Sequence, residues 1–488
     1  MMRNAGIIIS ILLPIIGGII LLERKQITER GRRIWCEALA CLTSVIVWMI
    51  LLGGPVEEFS LYSFTRGFQI VFKADGPSMF FAGMVSSMWP FVTLYAFEYM
   101  ENAVHKNSFF GFYIMTYGVT LGVAFSGNLL TMYVFYEMLS LVTLPLVTHE
   151  QNHESMYAGR IYATYVIGGA AMAFLPVVVM TMFTEGGFVW GGHSYSNLAL
   201  NYVLILWILG FFGFGVKAAV IPFHLWLPAA TVAPTPVTAL LHAVAVVNTG
   251  VFAVTRLTWY VFSPQRLTGS WAQGVAVLTA CATLVYAASR ALRERHFKRR
   301  LAFSTVSNLS YMLFGILLLT PEGLQAGLAH MLFHGTIKMS LFLCAGAFIH
   351  KSGKNYIYEL NGAGRKMPLT FLFYTLGALS LSGIPLFAGF VSKWDLLTAG
   401  GTAHSVYGYI GIVSLLCAAF FCSIYTLSVS VRAFFPVKGT DLWENTQLSD
   451  PGWRMMLPIV IFTILDIVFG VLPGPVMGFL NQVSRGVM

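Results

Sequence analysis

Residues 210–254 read GFFGFGVKAAVIPFHLWLPAATVAPTPVTALLHAVAVVNTGVFAV, and the fold turns on how this stretch is understood. Lys217, His224 and His242 stand in segments otherwise apolar enough for a bilayer, and Pro222, Pro228, Pro234 and Pro236 interrupt those segments. A lysine at the middle of a membrane helix costs roughly 2.5–3.5 kcal/mol on insertion scales, so it usually faces a protein interior or a hydrated cavity. Proline removes a backbone donor there, which is tolerable only where other protein or water satisfies the freed carbonyls. The stretch therefore reads as a broken helix lining a polar cavity.

Composition points to the same setting. Of 488 residues, 57% are hydrophobic and only 10% charged, and the mean hydropathy of +0.74 lies far outside the range of soluble domains. A net charge of +9 raises nucleic acid as a partner class, but the basic residues fall in short runs between apolar segments, as topology signals do, and no nucleic acid is expected. Cys36, Cys41, Cys281, Cys344, Cys417 and Cys422 show no metal-ligand pattern, so free, buried thiols are expected and no metal. The first apolar run, 5–22, has no small-residue cleavage site and is expected to remain as a helix.

A span needs about 20 apolar residues, and reading for such runs gives about 14 of them, an all-α polytopic membrane protein. Their expected extents are 5–22, 34–52, 76–99, 109–126, 129–148, 160–183, 202–224, 234–262, 271–291, 300–319, 323–350, 369–398, 406–434 and 454–480. The loops near 53–74, 184–201 and 435–453 are too short to fold alone. Basic residues concentrate after the first span (Arg24, Lys25, Arg30, Arg32, Arg33), after the ninth (Arg290 to Arg300) and after the eleventh (Lys351, Lys354, Arg365, Lys366), whereas the opposite loops hold scattered cations such as Arg66, Lys73 and Arg266. If spans alternate, the rich loops share one side, the cytoplasmic one, and both termini are expected outside a prokaryotic inner membrane.

Two segments are interrupted alike: GVKAAVIPFHLWLP around Pro222 in span 7, and SLSGIPLFAGFVSKWDLL around Pro385 in span 12, each with one lysine, Lys217 and Lys393. An offset of five spans reverses orientation, so the chain reads as two inverted five-helix units, 108–262 and 263–434, between N-terminal helices at 1–107 and a last helix in 435–488. Lys217 is expected to be buried and Lys393 to be reachable from outside through the gap at Gly383 to Pro385.

The ionisable groups inside the spans can be weighed singly. Glu137 lies mid-span without a cation within a turn or two, and is read as the partner of Lys217 from another helix, the alternative being a carboxyl kept neutral by burial. Lys217 sits too deep to snorkel. His330, His334 and Lys338 recur every four residues, so they follow one another about 6 Å apart along nearly one helix face. The spacing allows a metal pair, but no third ligand of the HExxH kind is present, and a proton wire is the stronger reading. His224 and Asp395 are candidate accessories, Asp75 an interfacial cap, and Asp466 a carboxylate without an evident partner.

At these residues the chain resembles the antiporter-like membrane subunits shared by respiratory complex I, membrane-bound hydrogenases and Mrp-type sodium/proton antiporters. The resemblance rests on FYEMLSL around Glu137, GFGVKAAVIPFHLWLPAA with Lys217, APTPVTALLHA with His242, FKRRLAFSTVSNLSYM from Phe297, HMLFHGTIKMSLFL with His330, His334 and Lys338, and GIPLFAGFVSK ending at Lys393. It implies 14 helices with two inverted repeats, a pair at Glu137 and Lys217, a connecting row through His242, His330, His334 and Lys338, and an exit at Lys393. His296 stands where the family often has an aspartate, Lys393 where some members have glutamate, and the lateral helix of the largest complex I member is not expected. The D-type members of Mrp antiporters, with their hydrogenase relatives, look nearest.

The resemblance implies a proton-translocating subunit working beside other membrane subunits, homologous ones included, in a lipid bilayer, with H+ carried and Na+ as a second candidate ion. No haem, flavin, Fe–S or nucleotide motif is present, so no cofactor is expected; whether the chain serves an NADH, ferredoxin or hydrogenase oxidoreductase or an antiporter stays open. Two other functions compete: a self-contained secondary transporter of another ion or small solute, against which the lack of a further polar cluster argues, and a structural subunit with a disused channel.

Overall fold

The computed structural model describes residues 2–24, 26–65, 68–183, 187–193, 195, 198–437, 439–444 and 448–488. Lys25 and Arg66, two of the charges used for orientation, lie outside the described residues.

The chain begins with two helices, α1 (Met2–Glu23) and α2 (Glu29–Leu52), the second started by Thr28, whose side chain accepts the Gly31 N–H. The segment expected as a polar loop at 53–74 instead forms an antiparallel hairpin, β1 (Val56–Thr65) with β2 (Phe68–Ala74). It folds because it leans on helices: the Val71 N–H donates to Thr131 Oγ1 at 2.8 Å, and Asn128 Nδ2 to Gln69 O at 2.9 Å. A two-stranded hairpin alone is marginal in water.

There follow α3 (Gly76–Tyr99), α4 (Lys106–Ala124), α5 (Leu129–Val147), α6 (His153–Phe183) and α7 (Leu200–Gly215). After α7 the chain unwinds, with Ala219 at φ 54 and a cis Ile221–Pro222 bond, before the single turn α8 (Trp226–Ala229). Next come α9 (Thr235–Ala243), α10 (Val246–Arg256), a π-helical turn at Leu257–Phe262, and the short α11 (Pro264–Leu267). The remainder is α12 (Trp271–Arg293), α13 (Phe297–Leu317), α14 (Pro321–Ser352), α15 (Ala363–Lys366), α16 (Pro368–Ser382), α17 (Ala388–Thr402), α18 (Val406–Phe434), α19 (Trp453–Val471) and α20 (Gly474–Ser484).

Every expected span holds a helix, and both expected breaks are present, after Gly215 and between Ser382 and Ala388. Among the described residues ten helices are long and apolar enough to cross a membrane, and two shorter apolar ones, Leu200–Gly215 and Pro368–Ser382, belong to the broken spans. Two further interruptions were not expected: span 8 divides at Val244 and Ala245, and the last span divides at Leu472 and Pro473.

The run from Thr235 to Phe262 is the centre, its most apolar stretch 100% buried, whereas those of α18 and α19 are only 33% buried and present apolar surface outward. Outward leucines and valines suit a lipid solvent, in which burial is not what drives packing. α14 packs against α9, α13, α16, α17 and α19, so its ionisable face meets the centre rather than lipid. The cysteines are free, as expected, but Cys41 is exposed, because its face of α2 points away from the bundle.

Candidate functional site

Lys217 lies in the unwound stretch just after α7 and is completely buried. Its ammonium donates to the Tyr136 carbonyl and sits 3.5 Å from the centre of the Tyr136 ring. Unwinding explains the position, since a lysine outside the helical ladder can reach back to α5. Glu137, the next residue on α5, is half-buried; it interacts electrostatically with Lys217, but among the described residues it makes no ion pair within 4.0 Å and its Oε1 has no hydrogen-bond partner. The expected Glu137–Lys217 pair is therefore near but open. His224, an expected accessory, is buried with its ring edge-on to Tyr286 at 5.2 Å.

His242 ends α9 at the break in span 8, wholly buried, with its ring 4.9 Å from that of Phe342 on α14 and, among the described residues, no hydrogen bond to either nitrogen. Asn248 and Thr249, in the first turn of α10, were not singled out from sequence. Asn248 Nδ2 donates to Ala243 O at 2.7 Å and so recaps the broken helix, while Asn248 Oδ1 and Thr249 Oγ1 are buried without partners among the described residues. Next to them Gly250 faces Lys217: a Cβ there would stand 2.4 Å from Ala218 N and 2.9 Å from the Lys217 Cβ. The break in span 8 thus lies between Lys217 and His242. Orphaned polar groups clustered at such a place normally hold water.

On α14 the three ionisables do share a face. His334 is fully buried, 5.9 Å from the His330 ring, and neither ring nitrogen has a hydrogen-bond partner among the described residues. His330 Nδ1 is 2.9 Å from Ser392 Oγ and its Nε2 is 3.1 Å from Asn308 Oδ1, with the ring stacked on Tyr311. Lys338 donates to Leu301 O at 3.1 Å and to Ser304 Oγ. Lys393, six residues into α17, donates to Leu381 O at 2.5 Å, a carbonyl at the C-terminal end of α16. It is only 7% exposed, so the expected difference in access between Lys217 and Lys393 is absent here. Asp395 is half-buried on the same helix. Among the described residues no three His, Cys, Asp or Glu side chains converge as a metal site.

Three ionisable residues gain roles that the sequence did not reveal. Arg256, on the central run, is fully buried and forks onto Asp75 at 2.5 and 2.8 Å, with Ser78 Oγ at 2.8 Å and the rings of Tyr260, Phe188 and Phe252 around it. Asp75 also caps α3, as expected, through the Ser78 N–H. Burial would push its carboxyl up, but Arg256, with Lys73 behind it, holds it down at about 2. Lys298, read as a topology charge, is buried and donates to Ala233 O at 3.0 Å. His296 caps α13 by accepting the Arg299 N–H at 3.5 Å.

A multi-pass helical membrane protein with a file of buried lysines and histidines running between two broken helices is the class these features define. The chain belongs to the family of NADH:quinone oxidoreductase and Mrp antiporter transmembrane subunits, whose description matches residues 126–422. Among its relatives are the A/B subunit of a probable K(+)/H(+) antiporter of Rhizobium meliloti (strain 1021), 29% identical with 98% of this chain and 48% of that one covered, and the A-type subunit of the Na(+)/H(+) antiporter of Alkalihalophilus pseudofirmus, 31% identical with 86% and 55% covered. The chain spans about half the length of these curated relatives. They are A-type or A/B subunits, whereas the motifs alone pointed to the D type. Solved structures share the fold: a chain of the Mrp complex from Dietzia sp. DQ12-45-1b superposes with TM-score 0.85 at 20% identity, covering 100% of this chain and 97% of that one. A chain of respiratory complex I from Thermus thermophilus follows at TM-score 0.82 and 21% identity, with 98% of each covered.

Proposed function

We propose that this chain is a proton-translocating, antiporter-like subunit of a multisubunit membrane complex in a prokaryotic cell membrane. The observation that carries the reading is the buried file itself: Lys217, His242, His334, His330, Lys338 and Lys393 lie inside the bundle, held by carbonyls, hydroxyls or nothing, and none is in an ion pair among the described residues. Buried ionisables without counter-ions are too costly to serve as mere packing. Lysines bonded to neutral acceptors can give up a proton without leaving a partner charge stranded.

In this reading Glu137 and Lys217 form a switching pair whose separation sets the proton affinity of the lysine. The proton passes the break in span 8 by His242, moves along His334, His330 and Lys338, and leaves by Lys393. Residues 108–262 and 263–434 are the two inverted units, and both termini face the outer side. The relatives' printed names, K(+)/H(+) and Na(+)/H(+) antiporter, support H+ exchanged against a monovalent cation, and the neighbours' assemblies support partner subunits beside the chain. The test is the purified complex in vesicles with an internal pH dye. Imposed sodium or potassium gradients should drive proton flux, and Lys338→Ala should remove it with all subunits present. Undiminished flux in that variant would overturn the path.

A further inference from the structure

Asp466 is a carboxylate inside α19, 1% exposed, and its hydrogen-bond partner is a hydroxyl rather than a cation. Ser380 Oγ donates to Asp466 Oδ1 at 2.7 Å, and the same Ser380 oxygen accepts the Gly389 N–H at 3.2 Å. Ser380 lies in the last turn of α16 and Gly389 in the first turn of α17, so these two bonds run from α19 across the break to both of its sides. The carboxylate also lies near the Ala388 N–H, one of the first-turn amides that a helix leaves without an internal acceptor. Asp466 Oδ2 makes no hydrogen bond among the described residues.

The same face of α19 grips its surroundings at two more levels. Thr463 Oγ1 pairs with Ser340 Oγ on α14 at 2.9 Å, two residues from Lys338. At Gly470 a Cβ would stand 2.3 Å from Leu386 O and 2.5 Å from the Phe387 Cα, so the helix touches the backbone of the break itself. Thr463, Asp466 and Gly470 follow the i, i+3, i+7 spacing of one helix face. What the break presents is the Leu381 carbonyl, which accepts Lys393 Nζ at 2.5 Å and Cys422 Sγ at 3.4 Å; Ser392, beside Lys393, meets His330 at 2.9 Å. The break's shape therefore decides where Lys393 and Ser392 sit.

We infer that Asp466 is a positioning residue of the proton path: by tying Ser380 to the first turn of α17, it holds the break in the form that seats Lys393 on Leu381 and Ser392 on His330. The inference rests on the relay reading above. A carboxylate supplies what a hydrocarbon side chain cannot, an acceptor for Ser380 in a place 1% exposed. It touches neither Lys393 nor His330 and acts through the backbone between them.

The intact complex, reconstituted, tests this by hydrogen exchange of the peptide across residues 382–390 and by proton flux in Asp466→Asn, Asp466→Ala, Ser380→Ala and the Asp466→Ala/Ser380→Ala pair. Losing this buried hydrogen bond should speed exchange at Ala388 and Gly389, and slow flux, by about tenfold in Asp466→Ala. Asp466→Asn keeps the acceptor and should restore both to within about threefold of the parent. The pair should be no worse than Asp466→Ala, since one clasp is broken in each. Unchanged exchange in Asp466→Ala overturns the clasp; faster exchange with unchanged flux overturns its link to Lys393; lost flux in Asp466→Asn with a protected break makes the carboxyl a proton carrier instead. Ser380→Ala carries the same test should Asp466→Ala fail to assemble. The exchange readout stands whether or not the relay carries protons, so failure of the relay alone would show as normal flux in Lys338→Ala beside an opened break.

Discussion

Gly250→Ala probes the closest packing in the file. The added methyl carbon would stand 2.4 Å from Ala218 N, 2.8 Å from Lys217 C and 2.9 Å from Lys217 Cβ, where ordinary contact begins at 3.4 Å. Backbone and a fully buried lysine must therefore yield by about 1 Å, because neither neighbour is the loose end of a side chain. Overpacking of this kind costs about 1–3 kcal/mol. The functional loss should exceed the stability loss, since a 1 Å error in a reacting geometry is worth on the order of a hundredfold in rate. Shifting Lys217 also alters its reach to the Tyr136 carbonyl and its separation from Glu137. The assay is proton flux in vesicles at matched complex content, with Gly168→Ala as control, because a Cβ at Gly168 meets nothing within 4 Å. Gly250→Ala should lose at least tenfold and the control nothing. Equal flux in the two would refute the claim that this contact sets the position of Lys217.

Other outcomes follow from the same geometry. Arg256→Leu leaves buried Asp75 with only Lys73, 3.7 Å away, as a counter-charge, at a cost of up to about 3–5 kcal/mol, and should lower the thermal midpoint in detergent far more than Arg256→Leu combined with Asp75→Asn; equal losses would make the pair incidental. His330→Ala with His334→Ala should slow flux at least tenfold while exposed Lys351→Ala leaves it unchanged, and equal effects would move the path off α14. Burial, with Lys298 and Arg299 next, holds the His296 ring at about 4 against an ordinary 6.5. The unfolded chain thus binds a proton that the cap does not, so the cap's stability is complete above pH of about 6.5 and declines as pH falls towards 4. Exchange at the start of α13, corrected for intrinsic rate, should rise between pH 7 and 5 and lose that rise in His296→Asn; a flat profile in the parent would contradict this.

What could be read from sequence divides along physical lines. Breaks at Pro222 and Pro385 were legible because proline and an intramembrane lysine coincide, and each alone is costly in lipid. The break at Val244 and Ala245 has no proline; it is made by Asn248 turning back to Ala243, and only the Asn-Thr pair in an apolar run hinted at it. Arg256 was hidden because one charge does not spoil an apolar window, and its partner Asp75 lies 181 positions away. Asp466 was visible as a carboxylate, but its partner is on another helix, which no periodicity within α19 discloses. The hairpin at 56–74 went unread for a similar reason, since its anchors, Asn128 and Thr131, belong to α5 and the residue before it. Lys217 was read toward Glu137, but the Tyr136 carbonyl holds its ammonium, a backbone acceptor that sequence cannot single out.

The central claim is that a proton must pass through the lysine at the first break. Proton uptake into vesicles bearing the complex with Lys217→Ala, assembled to parental content and driven by an imposed cation gradient, tests it most directly. Uptake should not exceed that of protein-free vesicles, while Lys351→Ala measured alongside keeps the parental rate; parental uptake in Lys217→Ala would mean that protons bypass this lysine.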